Sequence, residues 1–374
     1  MNTIISLCGA FKTIRDPRIE RTKKHKLVDI LIIALCATIC GVDGWEEMEI
    51  FAEKHEEWFK SFLELPSGIP SHDTIHRVFS RIDPKEFNKI LLRWTEALHQ
   101  SVEGKVVAID GKTLRGSFDS ATGKAALQMV SAWAHESNLV LGQLAVEKNE
   151  NELSKIPSLL RMLHLKGAIV TIDAIGCQKE ITRIIREEKK ADYVLGLKKN
   201  QPNLYKHIEN LFIVAEQNSN FITDSYTSEE MNRGRTEQRT CVCIDVSEHP
   251  YFSAQGWNDI VTIAKIHTVR IENGKIQKQT RYFITSLSCK AQQIARAVRT
   301  HWSIENTLHW CLDMTFFEDA SRIRKDNAPE NMAILRRIAF SLAKARTPKN
   351  MTVKRARFLM MLDWSFAIEH FFSR

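Results

Sequence analysis

Two aspartates directly follow apolar runs, a position in which a carboxylate suits metal-dependent chemistry. Asp110 follows the run VVAI, and Asp173 follows the run AIVTI. Continuous apolar runs are typical of strands buried on both faces, so each aspartate is expected at the carboxyl end of a core strand. Ligand sites of α/β sheets cluster at such ends. For either aspartate alone, a turn or cap role is an equally good interpretation, because Asp is common in turns.

Glu305 is a third acidic residue, and the periodicity around it carries more information. A helix is predicted from Ala291 to Met314. Its apolar side runs through Ile294, Val298, His301, Glu305, Leu308 and Leu312. Residues at this spacing share one helix face, so Glu305 and His301 are expected to point inward. An unpaired charge is expensive there, and either a metal ion or a buried arginine would relieve that cost.

Three carboxylates from two strand ends and one helix suit a site with two Mg²⁺ ions, for which Mn²⁺ can substitute. Mg²⁺ prefers hard oxygen ligands and keeps positions open for water and phosphate oxygens. Two such ions, about 3.5–4 Å apart, can activate the attacking oxygen and stabilise the leaving oxygen in phosphoryl transfer. We therefore expect Asp110, Asp173 and Glu305 to be both catalytic residues and metal ligands.

Other catalytic sites find less support in the sequence. His301, Glu305 and His309 follow one another at four-residue steps, but the H-E-x-x-H arrangement of a zinc site is absent. The chain has no G-x-x-x-x-G-K-[ST] loop for a nucleotide and no G-x-S-x-G serine nucleophile. A buried Arg–Glu pair stays open as the structural alternative for Glu305.

The segments that must position these residues change character near residue 104. Residues 1–100 are predicted to form amphipathic helices that resemble a helix–turn–helix arrangement. Strand and helix patterns then follow in the order β-β-β-α-β-α-β. Three consecutive strands before the alternation predict a mixed sheet with one antiparallel meander. Strand patterns return at about residues 221–288, and the chain is predicted to be helical from Lys290 onward.

The composition is that of a folded protein of more than one domain. The 374 residues are 44% hydrophobic and carry a net charge of +8, which favours an anionic partner only weakly. Eight scattered cysteines form neither a zinc pattern nor a disulfide framework, so reduced thiols in the cytoplasm fit best. The apolar stretch Leu27–Val42 is too short to span a membrane and contains Asp29, which predicts a buried helix.

Long motifs are spread over nearly the whole chain. They are DPR at Asp16–Arg18, IPSHDTIHRVFSRIDP at Ile69–Pro84, AIDGKTLRGS at Ala108–Ser117, TIDAIGCQKE at Thr171–Glu180 and HWSIENTLHWCLDMTFFEDASRIR at His301–Arg324. In these motifs the chain resembles insertion-sequence transposases of the DDE superfamily, specifically the H-repeat-associated, ISAs-type group.

The resemblance implies an α/β fold, namely an RNase H-like mixed sheet with helices, an N-terminal helical domain and a β-rich insertion before the last catalytic helix. Four segments are expected: a DNA-binding helical domain at 1–100, a first core part at 101–220, the insertion at 221–288, and a second core part with basic C-terminal helices at 289–374. In that fold the strands of Asp110 and Asp173 are neighbours, and the helix that bears Glu305 packs across them.

The same resemblance implies an enzyme that cleaves DNA at transposon ends and transfers the freed strand to target DNA. Its partner would be double-stranded DNA, bound by a homodimer or larger assembly. The protein would act in the bacterial cytoplasm, at the nucleoid, and would bind neither a membrane nor a nucleotide cofactor. Two alternatives stay open: a catalytically decayed DNA-binding protein and a metal-dependent, structure-specific nuclease. His301 and Leu312 motivate the first alternative, since related transposases often carry Arg and Lys at these positions.

A further set of basic and aromatic residues is predicted to contact DNA. The set comprises Lys112, Arg115, Lys198, Lys199, Arg233, Arg235, Arg299, His301, Trp302, Arg322 and Arg324. Trp302 could stack on an unpaired base, although core packing is the more common role of such a residue. Any single Lys or Arg is more often a solvated surface charge. The basic run Lys344–Arg357 is an additional candidate.

Overall fold

The computed structural model describes residues 3–98, 102–120, 123, 125–218, 221–232 and 234–372. The chain begins with helices, as the amphipathic patterns predict. They are α1 (Thr3–Phe11), α2 (Leu27–Cys40), α3 (Trp45–Lys54), α4 (Glu56–Lys60), α5 (His72–Arg81) and α6 (Pro84–Leu98). Among the described residues no single helix is long and apolar enough to cross a membrane. Helices α2 and α3 taken together have the length and composition of a membrane span, but the chain bends by 96° between them.

The middle of the chain supplies the strands and the helices between them. The strands are β1 (Val106–Leu114), β2 (Leu127–Ala134), β3 (Leu139–Val146), β4 (Ile169–Ile172), β5 (Asp192–Leu197), β6 (Thr223–Asn232), β7 (Arg235–Asp245), β8 (Thr262–Glu272) and β9 (Lys275–Thr285). The helices are α7 (Glu152–Met162), α8 (Lys179–Arg183, continued by a π-helical turn at Ile184–Glu188), α9 (Pro202–Gln217) and α10 (Pro250–Ala254).

The C-terminal part is helical, as predicted from Lys290 onward. Its elements are α11 (Ala291–His301), a π-helical turn (Ile304–His309), α12 (Trp310–Met314), α13 (Ala328–Arg346), α14 (Val353–Leu362), α15 (Trp364–Ala367) and a last π-helical turn (Ile368–Phe372).

All nine strands form one mixed sheet in the order β3-β2-β1-β4-β5-β9-β8-β7-β6. β1, β2 and β3 are an antiparallel meander, and β4 and β5 run parallel to β1. β9 pairs antiparallel with β5, and β8, β7 and β6 extend the sheet from there. The expected mixed α/β sheet is therefore confirmed, and the strands of the 221–288 segment continue it.

The two faces of the central strands pack against different helices. Val107 and Ile109 of β1 face a core shared with α7, α8 and α9, whereas Ala108 faces a core shared with helices from both chain ends. This alternation is the period of two expected of a strand buried on both faces. Because Asp110 follows Ile109, its side chain lies on the same side of the sheet as that of Ala108.

The N-terminal and C-terminal helices share one hydrophobic core, in which α2 packs against α13. Arg357 is buried there: its guanidinium lies 4.0 Å from the ring centre of Phe316 and donates to the carbonyls of Thr38 (2.8 Å) and Ile39 (3.1 Å). It thus satisfies backbone groups at the end of α2. The basic run Lys344–Arg357 was a candidate for DNA contact, and the burial of Arg357 excludes that residue from such a role.

Candidate active site

Asp110 and Asp173 occupy equivalent positions on neighbouring strands. Ile109 and Ile172 are the last parallel pair between β1 and β4, and each aspartate is the next residue. Neighbouring strands lie about 4.8 Å apart. Asp173 follows the end of its strand, as predicted. Asp110 does not, because β1 remains paired with β2 and continues to Leu114.

The side chain of Asp173 also has a structural role. One carboxylate oxygen, Oδ1, accepts a hydrogen bond of 2.9 Å from the Ile175 backbone N–H. It thereby caps the short 3-10 turn Ala174–Gly176. The interpretation of Asp173 as a cap residue is thus correct. Its other carboxylate oxygen, Oδ2, accepts no hydrogen bond from this turn.

Glu305 lies on the solvent side of its segment, so the prediction that it points inward is wrong. Ile304 and Leu308 are fully buried, whereas Glu305 is exposed. The segment is α-helical only to His301 and is π-helical from Ile304 to His309. A π-turn holds more residues than the 3.6 of an α-turn, which shifts the buried stripe relative to its regular continuation.

The charges of Asp173 and Glu305 nevertheless act on Asp110. Burial, together with the charges of Glu152, Glu305 and Asp173, raises the pKa of Asp110 to about 7, although the Gly111 amide lowers it. Neighbouring negative charges disfavour the ionised form of a carboxyl group, so the raised pKa of Asp110 indicates that other carboxylates lie near it. Asp173 and Glu305 therefore lie near enough to Asp110 for their charges to act on it, and so does Glu152.

Glu152 was not identified from the sequence. It begins α7 and lies against Gly111, where an added Cβ would come within 2.4 Å of its carboxylate oxygen. Only a glycine permits this approach. Burial and the charge of Asp173 raise the pKa of Glu152, while the Gly111 amide lowers it. An acidic residue in the first turn of a helix is ordinary, so the sequence held no specific signal for this position.

The donor chemistry of these residues fits hard divalent cations. Asp110, Glu152, Asp173 and Glu305 offer only carboxylate oxygens, the ligands that Mg²⁺ and Mn²⁺ prefer. Desolvated carboxylates that repel one another also gain from a bound cation. Within the described ranges, however, no three acidic, His or Cys side chains already stand close enough to hold a metal ion.

Two histidines flank the aspartates. His309 Nδ1 lies 3.6 Å from Asp110 Oδ2, and His301 Nδ1 lies 3.1 Å from Thr171 Oγ1. Burial, assisted by the charges of Arg337 and Lys112, lowers the pKa of His309 to about 3; burial lowers that of His301 to about 4. Both imidazoles are therefore neutral at pH 7. The predicted DNA contact of His301 is not supported, because the ring turns toward β4.

Lys112 is buried and bound by three carboxylates, which contradicts its predicted role in binding phosphates. Its ammonium lies 2.6 Å from Asp313, 3.0 Å from Asp319 and 3.4 Å from Glu318. Glu318 is also paired with Arg337 at 2.5 Å, and both of these side chains are fully buried. This cluster connects β1, two residues after Asp110, to the segment that follows Glu305.

The remaining predicted DNA contacts are dispersed. Arg115 is exposed beside Asp319, and Lys198 and Lys199 are exposed just beyond β5. Arg322 and Arg324 line a cleft with Trp45 and Phe317, separate from Glu305. Arg233 lies outside the described residues. Arg235, Arg299 and Trp302 line a cavity of about 550 Å³ between β6–β9 and α11, and Glu305 lies at its wall.

Comparisons with known proteins identify the family to which this chain belongs. A family model described as "Transposase DDE domain" matches residues 102–342, and a model for a domain associated with it matches residues 8–95. The chain belongs to the H-repeat-associated DDE transposases. The "Putative transposase YncI" of Escherichia coli O157:H7 is 39% identical over 370 residues, covering 98% of this chain and 94% of the relative.

A second relative is similar to this transposase over most of its length. The "H repeat-associated putative transposase YhhI" of Escherichia coli (strain K12) is 39% identical over 333 residues, which cover 88% of each chain. A solved structure, the cryo-EM piggyBac transposase synaptic complex with hairpin DNA, gives a TM-score of 0.42 at 11% identity, over 99% of this chain and 82% of that chain. Membership of the DDE family makes DNA the partner of this transposase.

Proposed function

We propose that this transposase cleaves DNA at the transposon ends and transfers the freed 3′-OH strand to target DNA. Asp110, Asp173 and Glu305 are the catalytic carboxylates, with Glu152 as a fourth acidic residue at the same place. The observation that carries the proposal is that the charges of Glu152, Asp173 and Glu305 act on the buried Asp110 at the β1–β4 edge, in a chain of the DDE family. Perturbed acidic groups of this kind cluster at functional sites.

The carboxylates are the proposed ligands of two Mg²⁺ or Mn²⁺ ions. When bound, such ions supply activation of the attacking oxygen and stabilisation of the leaving oxygen. The chain's own contribution is to hold hard oxygen donors in place. Asp110 and Asp173 come from adjacent parallel strands, and Asp173 Oδ1 is already fixed by the Ile175 amide. The neutral imidazoles of His301 and His309 add no charge that would repel a cation.

The order of the first five strands supports an RNase H-like core, with the meander β1–β3 followed by parallel β4 and β5. We keep the four segments 1–100, 101–220, 221–288 and 289–374 as the proposed domain division. The partner is the double-stranded DNA of transposon ends and target, bound by a homodimer or larger assembly. The proposed location is the bacterial cytoplasm, at the nucleoid.

A strand-transfer assay tests this function. A labelled duplex with the inverted repeats that flank the gene is incubated with the purified protein, a supercoiled plasmid and Mg²⁺. We expect nicked ends and labelled plasmid, and neither product with Asp110→Ala. The matched control is Glu248→Gln, an exposed acidic residue outside the site. Equal activity of Asp110→Ala and the wild type would overturn the assignment.

The same assay separates the two alternative functions. A structure-specific nuclease produces cut ends without labelled plasmid. A catalytically decayed DNA-binding protein produces neither, although it binds DNA in a salt-sensitive way. The observation that favours the decayed alternative is His301, whose imidazole is neutral and bonded to Thr171 instead of offering a cation to phosphate.

A further inference from the structure

The cavity beside Glu305 is an arginine-rich groove between the four strands β6–β9 and helix α11. Alternate residues of the strands line one wall, as the period of two requires, and α11 with the turn after it lines the other. Six arginines reach this groove: Arg235, Arg239, Arg270, Arg281, Arg296 and Arg299. Its volume of about 550 Å³ falls in the range that holds a small-molecule ligand, which suits single nucleotides better than a duplex.

Most of these arginines already form ion pairs with nearby glutamates. Arg235 and Arg239 lie 3.1 Å and 2.8 Å from the buried carboxylate of Glu237, and Arg270 lies 3.7 Å from it. Arg299 is paired with Glu230 on the opposite wall at 2.8 Å. Arg296, at the rim, lies 3.6 Å from Glu136. Five of the six arginines thus have a carboxylate within ion-pair distance, and three glutamates, Glu136, Glu230 and Glu237, supply these contacts.

The exception is Arg281. In the part of the chain that the structure describes, no carboxylate lies within ion-pair distance of its guanidinium. The group instead lies over the ring of Trp302, 4.6 Å from the ring centre. Burial lowers the pKa of Arg281, and the nearby charge of Glu305 partly opposes that effect. A half-buried guanidinium without a carboxylate is a costly arrangement that an incoming anion would relieve.

Arginine and tryptophan together match the two parts of a nucleotide. A guanidinium binds phosphate through planar, charge-assisted hydrogen bonds. Bases stack on aromatic rings and on guanidinium planes, but only when they are unpaired, because neighbouring bases cover their faces in a duplex. Trp302 is three residues before Glu305 and both line the groove with Arg281, so a nucleotide bound there is next to Glu305.

We propose that Arg281 and Trp302 form a binding subsite for one unpaired nucleotide of the DNA strand beside the scissile phosphate. Arg281 binds the phosphate, and the stacked indole and guanidinium bind the base. The subsite rests on the proposed function, because its ligand is the end of a DNA substrate.

The experiment is a fluorescence anisotropy titration without metal, with labelled end duplexes that are blunt or carry three unpaired nucleotides at the cleavage end. We expect the wild type to prefer the frayed duplex. Arg281→Ala and Trp302→Ala should each weaken binding of the frayed duplex about tenfold, with much less effect on the blunt duplex. Arg281→Lys and Trp302→Phe keep part of the interaction and should give intermediate losses.

Two matched controls are available in the chain. Lys278→Ala removes a positive charge from the same strand but from the face opposite the groove, and Trp310→Ala removes an exposed tryptophan eight residues after Trp302. Neither should change the preference for frayed DNA. Far-ultraviolet circular dichroism verifies that each variant is folded, and the conservative Arg281→Lys and Trp302→Phe variants provide the test if an alanine variant does not fold.

Two outcomes would overturn the subsite. One is a wild type that binds blunt and frayed duplexes equally. The other is a set of variants that weaken both duplexes by the same factor, as expected of general surface charge. Because no metal or cleavage is required, failure of strand transfer in the earlier assay does not affect this result. A frayed-end preference that depends on Arg281 and Trp302 would stand even in a protein without catalytic activity.

Discussion

Lys112 Nζ lies 2.6 Å from Asp313 Oδ1, and this contact joins the strand of Asp110 to the segment that carries Glu305. Asp319 and Glu318 complete the carboxylate shell around the buried ammonium. The two proposed catalytic elements are far apart in sequence, so a fixed cross-link between them helps to set their relative position. Lys112, two residues after the proposed catalytic Asp110, thus has a structural role in this protein.

Replacing Lys112 should destabilise the protein. Lys112→Met leaves Asp313, Glu318 and Asp319 without their shared cation, and removing one partner of a buried pair costs about 3–5 kcal/mol. Because two of these carboxylates are partly exposed, we expect the lower end of that range. Urea unfolding measures it. The exposed Lys148→Met serves as the control, and a loss below about 1 kcal/mol would contradict the role assigned to Lys112.

Asp110→Asn should stabilise the metal-free protein at high pH while it removes activity. The pKa of Asp110 is raised to about 7 in the fold, so ionisation of this group costs folding free energy as the pH rises from about 4 to 7. The neutral amide avoids that cost. We expect a gain on the order of 2 kcal/mol at pH 8 that shrinks toward zero near pH 4. Thermal unfolding in EDTA at both pH values checks it, and a gain independent of pH would refute the explanation.

Glu152→Gln should weaken the binding of divalent ions. Glu152 lies beside Asp110 and influences it most among the charged neighbours, so its loss removes negative charge and an oxygen donor from the site. We expect the Kd for Mn²⁺, measured by isothermal titration calorimetry, to rise about tenfold. Glu150→Gln, two residues before it and on the surface, is the control. Unchanged Mn²⁺ affinity would exclude Glu152 from the site.

Gly111→Ala should reproduce the effect of Glu152→Gln. The new Cβ would come within 2.4 Å of the Glu152 carboxylate, which is the far end of a flexible side chain and can move aside. We therefore expect a Mn²⁺ affinity loss of similar size with a stability change of about 1 kcal/mol or less. In a Glu152→Gln background, Gly111→Ala should have no further effect on Mn²⁺ affinity. Additive losses in the double variant would show that the two residues act independently.

The sequence predicted the sheet well where the strands are apolar and failed where they are polar. The order of the first five strands followed from apolar runs and the turns between them. β6 lies within the predicted strand region 221–288 but shows no strand pattern of its own, because its sequence, TDSYTSEEMN, has almost no apolar residues: it is an edge strand, and its inner side lines the polar groove. A strand of this kind gives no hydrophobic alternation from which it could be recognised.

The candidate site was predictable only in part, for reasons of local geometry. Asp110 and Asp173 were identified through their apolar flanks and the family motifs. The inward orientation of Glu305 was wrong because a π-helical turn shifts the helix phase, and periodicity alone does not reveal such a turn. Glu152, the burial of Lys112 and the contact between Arg281 and Trp302 depend on tertiary packing between segments that are distant in sequence.

The rate of single-turnover cleavage of end DNA in Mg²⁺ is the most direct test of the metal-site assignment. Asp110→Asn, Asp173→Asn and Glu305→Gln are compared with wild type and with the exposed control Glu248→Gln, after DNA binding by each variant has been verified by anisotropy. We predict that each of the three site variants loses at least about a thousandfold in rate, while the control cleaves as wild type does. Cleavage at the wild-type rate by any one of the three would contradict the assignment.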